Sequence, residues 1–407
     1  MARSTRRWDL VLYGASGFVG RQTAAYIARH GAGLRWAVAG RNAGKLREVL
    51  AGLGPAAAEA GVIVADAHDA AALDALAAGT RVVLSSAGPY ALYGSELVAA
   101  CVRRRTHYVD ITGETPWVRK MIDRHHDAAA RDGTRIVPGC GFDSVPSDLG
   151  TWLMTRAMRE RHGSACVEVK ASFSMKGGVN GGTVASLLNN LASGRTDAFL
   201  QPFLLNPAGT APEDTAPHAD PYAPHRDDDF DAWLGPFVMG PINTRVVRRS
   251  AALARARGDG GYAEGLRYQE YQHYGDGAAA ALAAAGMSAM AVSGQGALAL
   301  APMRWLLSKV TPAPGEGPSE RAMDEGWFRC RLVARDAEGH VLRGKIADRG
   351  DPGNRATTKF VCESALALLH DADALPPGGG VLTPATAFGA VLVRRLREAG
   401  MTLTVED

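Results

Sequence analysis

Three glycines, Gly14, Gly17 and Gly20, stand where a short apolar run ends and a helical pattern begins. A glycine at such a turn accepts positive φ, a second lets backbone approach a pyrophosphate, and a third lets helix pack on strand. The helix start then offers free N–H groups and a partial positive charge to phosphates. Ser16, Phe18 and Val19 fill the turn and complete the candidate contacts. The spacing is G-x-x-G-x-x-G, a variant found in reductases of extended type. A second signal follows about twenty residues on, where an NAD enzyme carries an acidic residue for the ribose 2′-OH. Here the apolar run Leu34–Gly40 ends in Arg41, with Lys45 one helical turn later and no Asp or Glu between Leu34 and Glu48. Two cations at that strand end suit a 2′-phosphate, so the expected cofactor is NADP(H).

The elements needed to position these groups are legible in the first 150 residues. Strand-like runs at Leu10–Tyr13, Arg35–Ala39, Val62–Ala65, Val82–Ser85, His107–Ile111 and Arg135–Pro138 alternate with Ala-rich helical stretches. That alternation builds a parallel, doubly wound sheet, whose ligand lies beyond the carboxyl ends of its strands. The residues after each run are therefore site candidates. Asp66 reads equally as an adenosine contact or a helix cap. Ser86, Ala87, Gly88 and Pro89 are expected beside the nicotinamide half, with the phenols of Tyr90 and Tyr93 next to them reading equally as hydrogen-bond donors or as packing groups. Glu114, Asp143 and Ser144 are candidate substrate contacts, and Asp110 with Glu114 could form an acid–base pair or serve as cap and surface charge. The Tyr-x-x-x-Lys pair of short-chain reductases follows none of the tyrosines.

Beyond about Ser147 the pattern changes to that of a second α/β domain with a mixed or antiparallel sheet. Ala165–Met175, Asn243–Arg249, Leu266–Tyr274 and Trp327–Ala334 read as strands. A hairpin is expected over Phe328–Arg343, continued by Lys345–Ala347. On the strand reading, alternation puts Arg248 and Arg249 on opposite faces, against a shared anion pocket. The expected division is 1–147 for the nucleotide and 148–375 for substrate and dimerisation, with 376–407 packing back on the first unit. Residues 206–235, rich in Pro, Asp and His, read as a long solvated loop in which His218, His225 and Asp227–Asp229 are too irregular to bind metal. Gly177, Gly178, Gly181 and Gly182 precede an expected helix at Thr183–Leu191 and read either as a plain loop before it or as a loop that faces the nicotinamide.

Composition narrows the class. A formal charge of +3 over 407 residues gives no reason to expect nucleic acid as a partner. The five cysteines (Cys101, Cys140, Cys166, Cys330 and Cys362) are scattered, odd in number and lack metal-ligand spacing, which reads as reduced thiols and no metal site. Arg3, Arg6 and Arg7 precede a run too short for a secretory signal, so a cytoplasmic location is expected. The uncharged stretch Gly277–Met303 is mostly Ala, Gly and Ser, and reads as a buried or substrate-covering helical segment rather than a membrane span. With Arg304, Trp305 and Lys309 after it, contact of 277–309 with a membrane surface is the alternative expectation.

Taken together, VLYGASGFVG, AGRNAGKL, VVLSSAGPYALYG, VAAC, YVDITGE, CGFDSVPSDLG, GPINTRVVRRS, VTPAPGEGPS and GVLTPATAFG make this chain resemble the saccharopine dehydrogenase-like oxidoreductases. More closely it is similar to the trans-acting enoyl reductases, which act with polyketide synthases in making mycobacterial phthiocerol-type and phenolic glycolipids. The resemblance implies a Rossmann NADP-binding domain, a mixed α/β domain, a C-terminal helix returning to the first, and hydride transfer. A lipidic or acyl-carrier-bound substrate with an enoyl or keto group is the expected partner, and a homodimer through the second domain's sheet is the default assembly. The alternatives are a saccharopine-type amino-acid dehydrogenase, for which Arg245, Arg248 and Arg249 would supply carboxylate binding, and a non-catalytic NADPH-binding or lipid-associated protein.

Overall fold

Near-continuous Val, Ile, Leu and Ala runs are what a parallel sheet covered on both faces requires, and the first third of the chain folds accordingly. The computed structural model describes residues 6–178, 180–182, 186, 201–298, 313 and 315–406. The strands β1 (Trp8–Tyr13), β2 (Trp36–Gly40), β3 (Gly61–Val64), β4 (Thr80–Ser85), β5 (His107–Asp110) and β6 (Arg135–Val137) pair in parallel. A seventh, β13 (Gly380–Val381), joins from near the C-terminus to give the order β13-β6-β5-β4-β1-β2-β3. The order reverses between β1 and β4, which opens the ligand crevice at their carboxyl ends. Leu10, Val11 and Leu12 are buried on both faces of the sheet, and each such side chain contributes about 1.5–3 kcal/mol.

The helices α1 (Phe18–His30), α2 (Ala43–Leu53), α3 (Ala70–Ala78), α4 (Tyr90–Tyr93), α5 (Ser95–Arg103) and α6 (Thr115–Asp132) make the crossovers, and α7 (Val145–His162) leads out of the sheet. Each of the six predicted strands lies within two residues of an observed one. The second sheet is mixed, in the order β14-β12-β11-β7-β10-β9-β8. Its strands are β7 (Cys166–Lys176), β8 (His225–Asp227), β9 (Ala232–Pro236), β10 (Tyr262–Gly275), β11 (Trp327–Asp336), β12 (Val341–Arg349) and β14 (Thr402–Glu406). β7 and β10 run parallel; the other pairs are antiparallel. Helix α7 lies close on this sheet at Gly150, where a Cβ would come within 3.2 Å of Leu332 and Ile346.

Two sequence expectations are corrected. Asn243–Arg249 is not a strand but the middle of helix α8 (Gly240–Ala256), entered through Pro241 in its first turn. The β-branched Thr244, Val246 and Val247 suggested a strand, but a helical period of Val247, Ala251 and Ala254 meets the core instead. Residues 206–235 are not simply a solvated loop, because β8 and all but the last residue of β9 lie within them and extend the mixed sheet.

The uncharged stretch forms helix α9 (Gly277–Leu298). Ala280, Ala284 and Ser288 face inward, while Leu282, Met290 and Val292 are exposed. Among the described residues no helix is long and apolar enough to cross a membrane. Arg304, Trp305 and Lys309, and most of the expected helix at 183–191, lie outside the described residues. After α10 (Glu320–Asp324), helix α11 (Thr357–His370) packs against the parallel sheet, followed by α12 (Pro384–Phe388) and α13 (Ala390–Glu398). Glu363 of α11 ties three helices together, accepting from Tyr26 Oη at 2.7 Å and from Arg395 Nε at 2.8 Å.

Candidate active site

At the β1–α1 turn Gly14 has φ of +87°, and a Cβ there would lie 2.9 Å from Ala87. A Cβ on Gly20 would sit 2.2 Å from the Gly14 carbonyl oxygen, so helix and turn touch through bare backbone. No side chain caps α1 and no acidic residue stands in its first turn. Its leading N–H groups are therefore open to an anion. Ser16, Gly17 and Phe18 are partly open, whereas Val19 and Gly20 are buried. A Cβ on Gly317 would strike the Phe18 ring at 2.5 Å, and Arg21 donates to the carbonyls of Ser16 and Gly315. A distant segment thus lies against the turn, a contact that nothing in the local pattern reveals.

Arg41 and Lys45 are exposed at the end of β2, and among the described residues neither side chain has an ion-pair or hydrogen-bond partner. Asp66 is exposed and accepts from its neighbour His68 N at 2.9 Å, while Asp69 is the residue that caps α3. The capping reading of Asp66 is thereby corrected. Tyr93 is half-buried with its ring edge-on to His68, centroids 5.8 Å apart, which turns it toward the β3 side.

The ends of β4, β5 and β6 carry the remaining candidates. Ser86 donates to the carbonyls of Tyr13 and Gly14, which locks the β4 end to the glycine turn. The Gly88–Pro89 bond that follows is cis. Tyr90 is buried, and its hydroxyl donates to the Ser85 carbonyl at 3.1 Å, so it is already occupied within the fold. Burial, followed by the neighbouring Asp110 charge, pushes its pKa well up.

The carboxylates divide by role. Glu114 is buried and accepts from Tyr90 N and Ala91 N, each at 2.8 Å, and from Ser186 Oγ at 2.9 Å. It clamps the first turn of α4 and is not a solvated charge. Asp110 accepts from Tyr108 Oη, Thr112 N and Gly139 N, which joins the ends of β5 and β6. Burial pushes its carboxyl up to about 7. Ser144 Oγ is buried with no hydrogen-bond partner among the described residues and lines a cavity of about 20 Å³ with Thr112, Gly113, Ile242 and Arg249. Asp143 differs from its neighbours: among the described residues its carboxylate has no hydrogen-bond or ion-pair partner. It lies against Gly113, where a Cβ would sit 3.4 Å from Asp143 Oδ2 and 3.1 Å from Ile242 of α8. Burial alone pushes it up to about 6.

The arginines offered as carboxylate binders do other work. Arg245, Arg248 and Arg249 are all buried along α8. Arg248 donates to the carbonyls of Pro202, His218 and Tyr268, and Arg249 to those of Leu205 and Val381. Arg245 pairs with Asp220 at 2.5 Å. They hold segment 201–220 against α8. The acidic run is likewise committed: Asp227 and Asp229 both pair with Lys170, and Asp229 also accepts from Arg335. Helical spacing of arginines would have signalled the first grouping once α8 was read as a helix. The second depends on β8 reaching β7's neighbourhood, which no local pattern encodes.

The model of the saccharopine dehydrogenase NADP-binding domain matches residues 10–137, which hold both the glycine turn and the β5 end. The trans-acting enoyl reductase of Mycobacterium ulcerans is 37% identical over 99% of this chain and 99% of its own length. The trans-acting enoyl reductase of Mycobacterium tuberculosis H37Rv is also 37% identical with the same coverage, and a second protein of that strain is 39% identical over 99% of this chain and 98% of its own. Among solved structures, apo saccharopine dehydrogenase (L-Glu forming) from Saccharomyces cerevisiae has the same fold, with a TM-score of 0.53, 14% identity, and 98% and 99% of the two chains covered. The glycine cradle, uncapped helix and unpaired cations fit the cofactor that the matched domain binds, NADP(H). On identity sustained from end to end, this chain belongs to the trans-acting enoyl reductase family.

Proposed function

We propose that the protein uses NADPH to reduce the C=C bond of an enoyl thioester whose acyl chain is lipidic or carried on an acyl carrier. The observation that carries this reading is the pairing of an open α1 start and unpaired Arg41 and Lys45 with a lone carboxyl, Asp143, across the carboxyl ends of one sheet. When bound, the cofactor supplies a hydride; the protein orients the reacting carbons and excludes water. Gly14–Gly20 would hold the pyrophosphate, Arg41 and Lys45 the 2′-phosphate, and Asp66 the adenosine ribose. Ser86, Ala87, Gly88 and Pro89 would flank the nicotinamide, with Glu114 keeping the α4 turn rigid through its two N–H bonds. The relatives' names say enoyl reductase, which supports the C=C reading over the C=O one. The saccharopine-type alternative loses its main support because Arg245, Arg248 and Arg249 are spent on backbone carbonyls and Asp220.

Titration with NADPH and NADH by fluorescence tests the cofactor site. Preference for NADPH that is lost in Arg41→Ala supports it; binding of neither nucleotide overturns it. NADPH oxidation by trans-2-dodecenoyl-N-acetylcysteamine, compared with the β-keto analogue, then tests the substrate. Turnover of the keto thioester alone would replace the enoyl reading.

A further inference from the structure

We propose that Asp143 is the acid that delivers the proton to the α-carbon of the enoyl thioester. The inference rests on the reductase reading above and names a group that the resemblance does not assign to this step. Three observations carry it. First, Asp143 follows β6, so its carboxylate lies beyond the strand ends on the β4–β5–β6 side of the switch point, where the reacting half of the cofactor belongs in this fold. Second, one of its carboxylate oxygens borders a glycine and an apolar side chain. Gly113 leaves room for the carboxylate, and Ile242, arriving from α8 of the mixed-sheet side, closes the space with an apolar wall. Third, every other carboxylate at these strand ends is spent: Asp110 on Tyr108, Thr112 and Gly139, and Glu114 on Tyr90, Ala91 and Ser186. Tyr90, the phenol nearest in sequence to the cis bond, is spent on Ser85. An enclosed carboxyl with no hydrogen-bond or ion-pair partner among the described residues is costly to keep unless something else uses it, and Asp143 is only partly buried.

The step balances without another reactant. As the β-carbon gains the hydride, the C=C π pair shifts to the α-carbon side and is held as an enolate. The α-carbon then takes the proton from the Asp143 carboxyl, and the carboxylate left behind regains a proton from water before the next turnover. The charged groups on the elements around it are Asp110 and Glu114 of the β5 end and Arg249 of α8, with Tyr90 of α4 as the further titratable group. All are hydrogen-bonded elsewhere, and burial sets the carboxyl near 6.

The test compares the wild type, Asp143→Asn and Gly113→Ala with trans-2-dodecenoyl-N-acetylcysteamine in H2O and D2O. For Asp143→Asn, kcat is expected to fall by about 100-fold or more, while KM and NADPH affinity by fluorescence stay within about threefold. The fall in kcat/KM with rising pH, expected near pH 6 in the wild type, should vanish. In D2O the wild-type product should carry deuterium on one face of the α-carbon, and residual Asp143→Asn product on both. Gly113→Ala keeps the carboxyl but crowds it, so it should slow turnover less and keep the pH limb. An unchanged kcat and pH profile in Asp143→Asn overturns the proposal while leaving the reductase reading intact. Loss of NADPH binding or a collapsed thermal melt in Asp143→Asn, with a normal pH limb in Gly113→Ala and no facial loss of deuterium, assigns Asp143 to the fold and overturns it as well. A wild type that reduces no enoyl thioester overturns the reductase reading itself.

Discussion

Two groups of charged side chains, one on the mixed sheet and one at the carboxyl ends of the parallel sheet, are handled in opposite ways. On the mixed sheet and the helix laid against it, charged side chains meet partners: Lys170 with Asp227 and Asp229, Arg335 with Asp229, Arg245 with Asp220, and Arg248 and Arg249 with backbone carbonyls. At the carboxyl ends of the parallel sheet, Arg41, Lys45 and Asp143 have no hydrogen-bond or ion-pair partner among the described residues. A paired, buried charge organises the chain, whereas a charge left open at a strand end is available to something outside the chain. The comparison teaches that the number of arginines in a segment says little about anion binding until their partners are known. The three arginines buried on α8, which the amino-acid dehydrogenase alternative needed as carboxylate binders, fasten segment 201–220.

That contrast is breakable from both sides. The largest effect should come from Arg249→Met, which strips the Leu205 and Val381 carbonyls of their donor and costs about 3 kcal/mol. Urea unfolding should show the loss while NADPH affinity, measured on the folded variant, stays unchanged; weakened NADPH binding with intact stability would erase the distinction. Next, Arg41→Ala should weaken NADPH by about 2 kcal/mol, the worth of charge-assisted hydrogen bonds to phosphate, and leave both NADH affinity and the thermal midpoint alone. A shifted midpoint would mean that Arg41 is structural after all.

The third prediction concerns pH. Asp110 keeps a proton up to about pH 7 in the folded chain, while in the unfolded chain its pKa is the ordinary one near 4. Between those values the native state holds a proton that the unfolded chain has lost, so stability falls as pH rises through that window. Asp148 and Glu270, also buried and pushed up to about 7, add to the same slope. Asp110→Asn should reduce the slope by up to about 1 kcal/mol per pH unit, read from urea midpoints at pH 5, 6, 7 and 8. An unaltered slope would show that Asp110 does not carry the proton. The smallest effect should be Lys45→Ala, about 0.5 kcal/mol in NADPH affinity, because an ammonium one turn into α2 acts as a flexible point charge beside a planar guanidinium.

Reading the residues in order recovered the parallel strands well because each is short, apolar and bounded by turn residues. Leu10–Tyr13 and Val82–Ser85 have no alternative partner for so continuous an apolar run. Asn243–Arg249 failed for the opposite reason. Its β-branched residues suit a strand locally, and only packing of Val247 and Ala251 against the core selects the helix. Glu114 and Asp110 could not be assigned from spacing, since cap, acid and surface charge all use the same side chain. Their hydrogen bonds to backbone N–H groups of α4 and of the turn after β6 decided it.

The glycine turn and the cation that follows it were legible from residue order alone, because glycine spacing and strand-end chemistry act within one βαβ unit. So was the parallel sheet, whose apolar period is a local property of the chain. Only the tertiary structure decided which charges are free. Whether Arg249 meets the carbonyl of Val381, or Ile242 comes to lie beside Gly113 and Asp143, depends on residues more than a hundred and about a hundred positions away respectively. Electrostatic partners are set by proximity in space, and proximity at that range is fixed by how the two sheets pack, not by any short-range pattern.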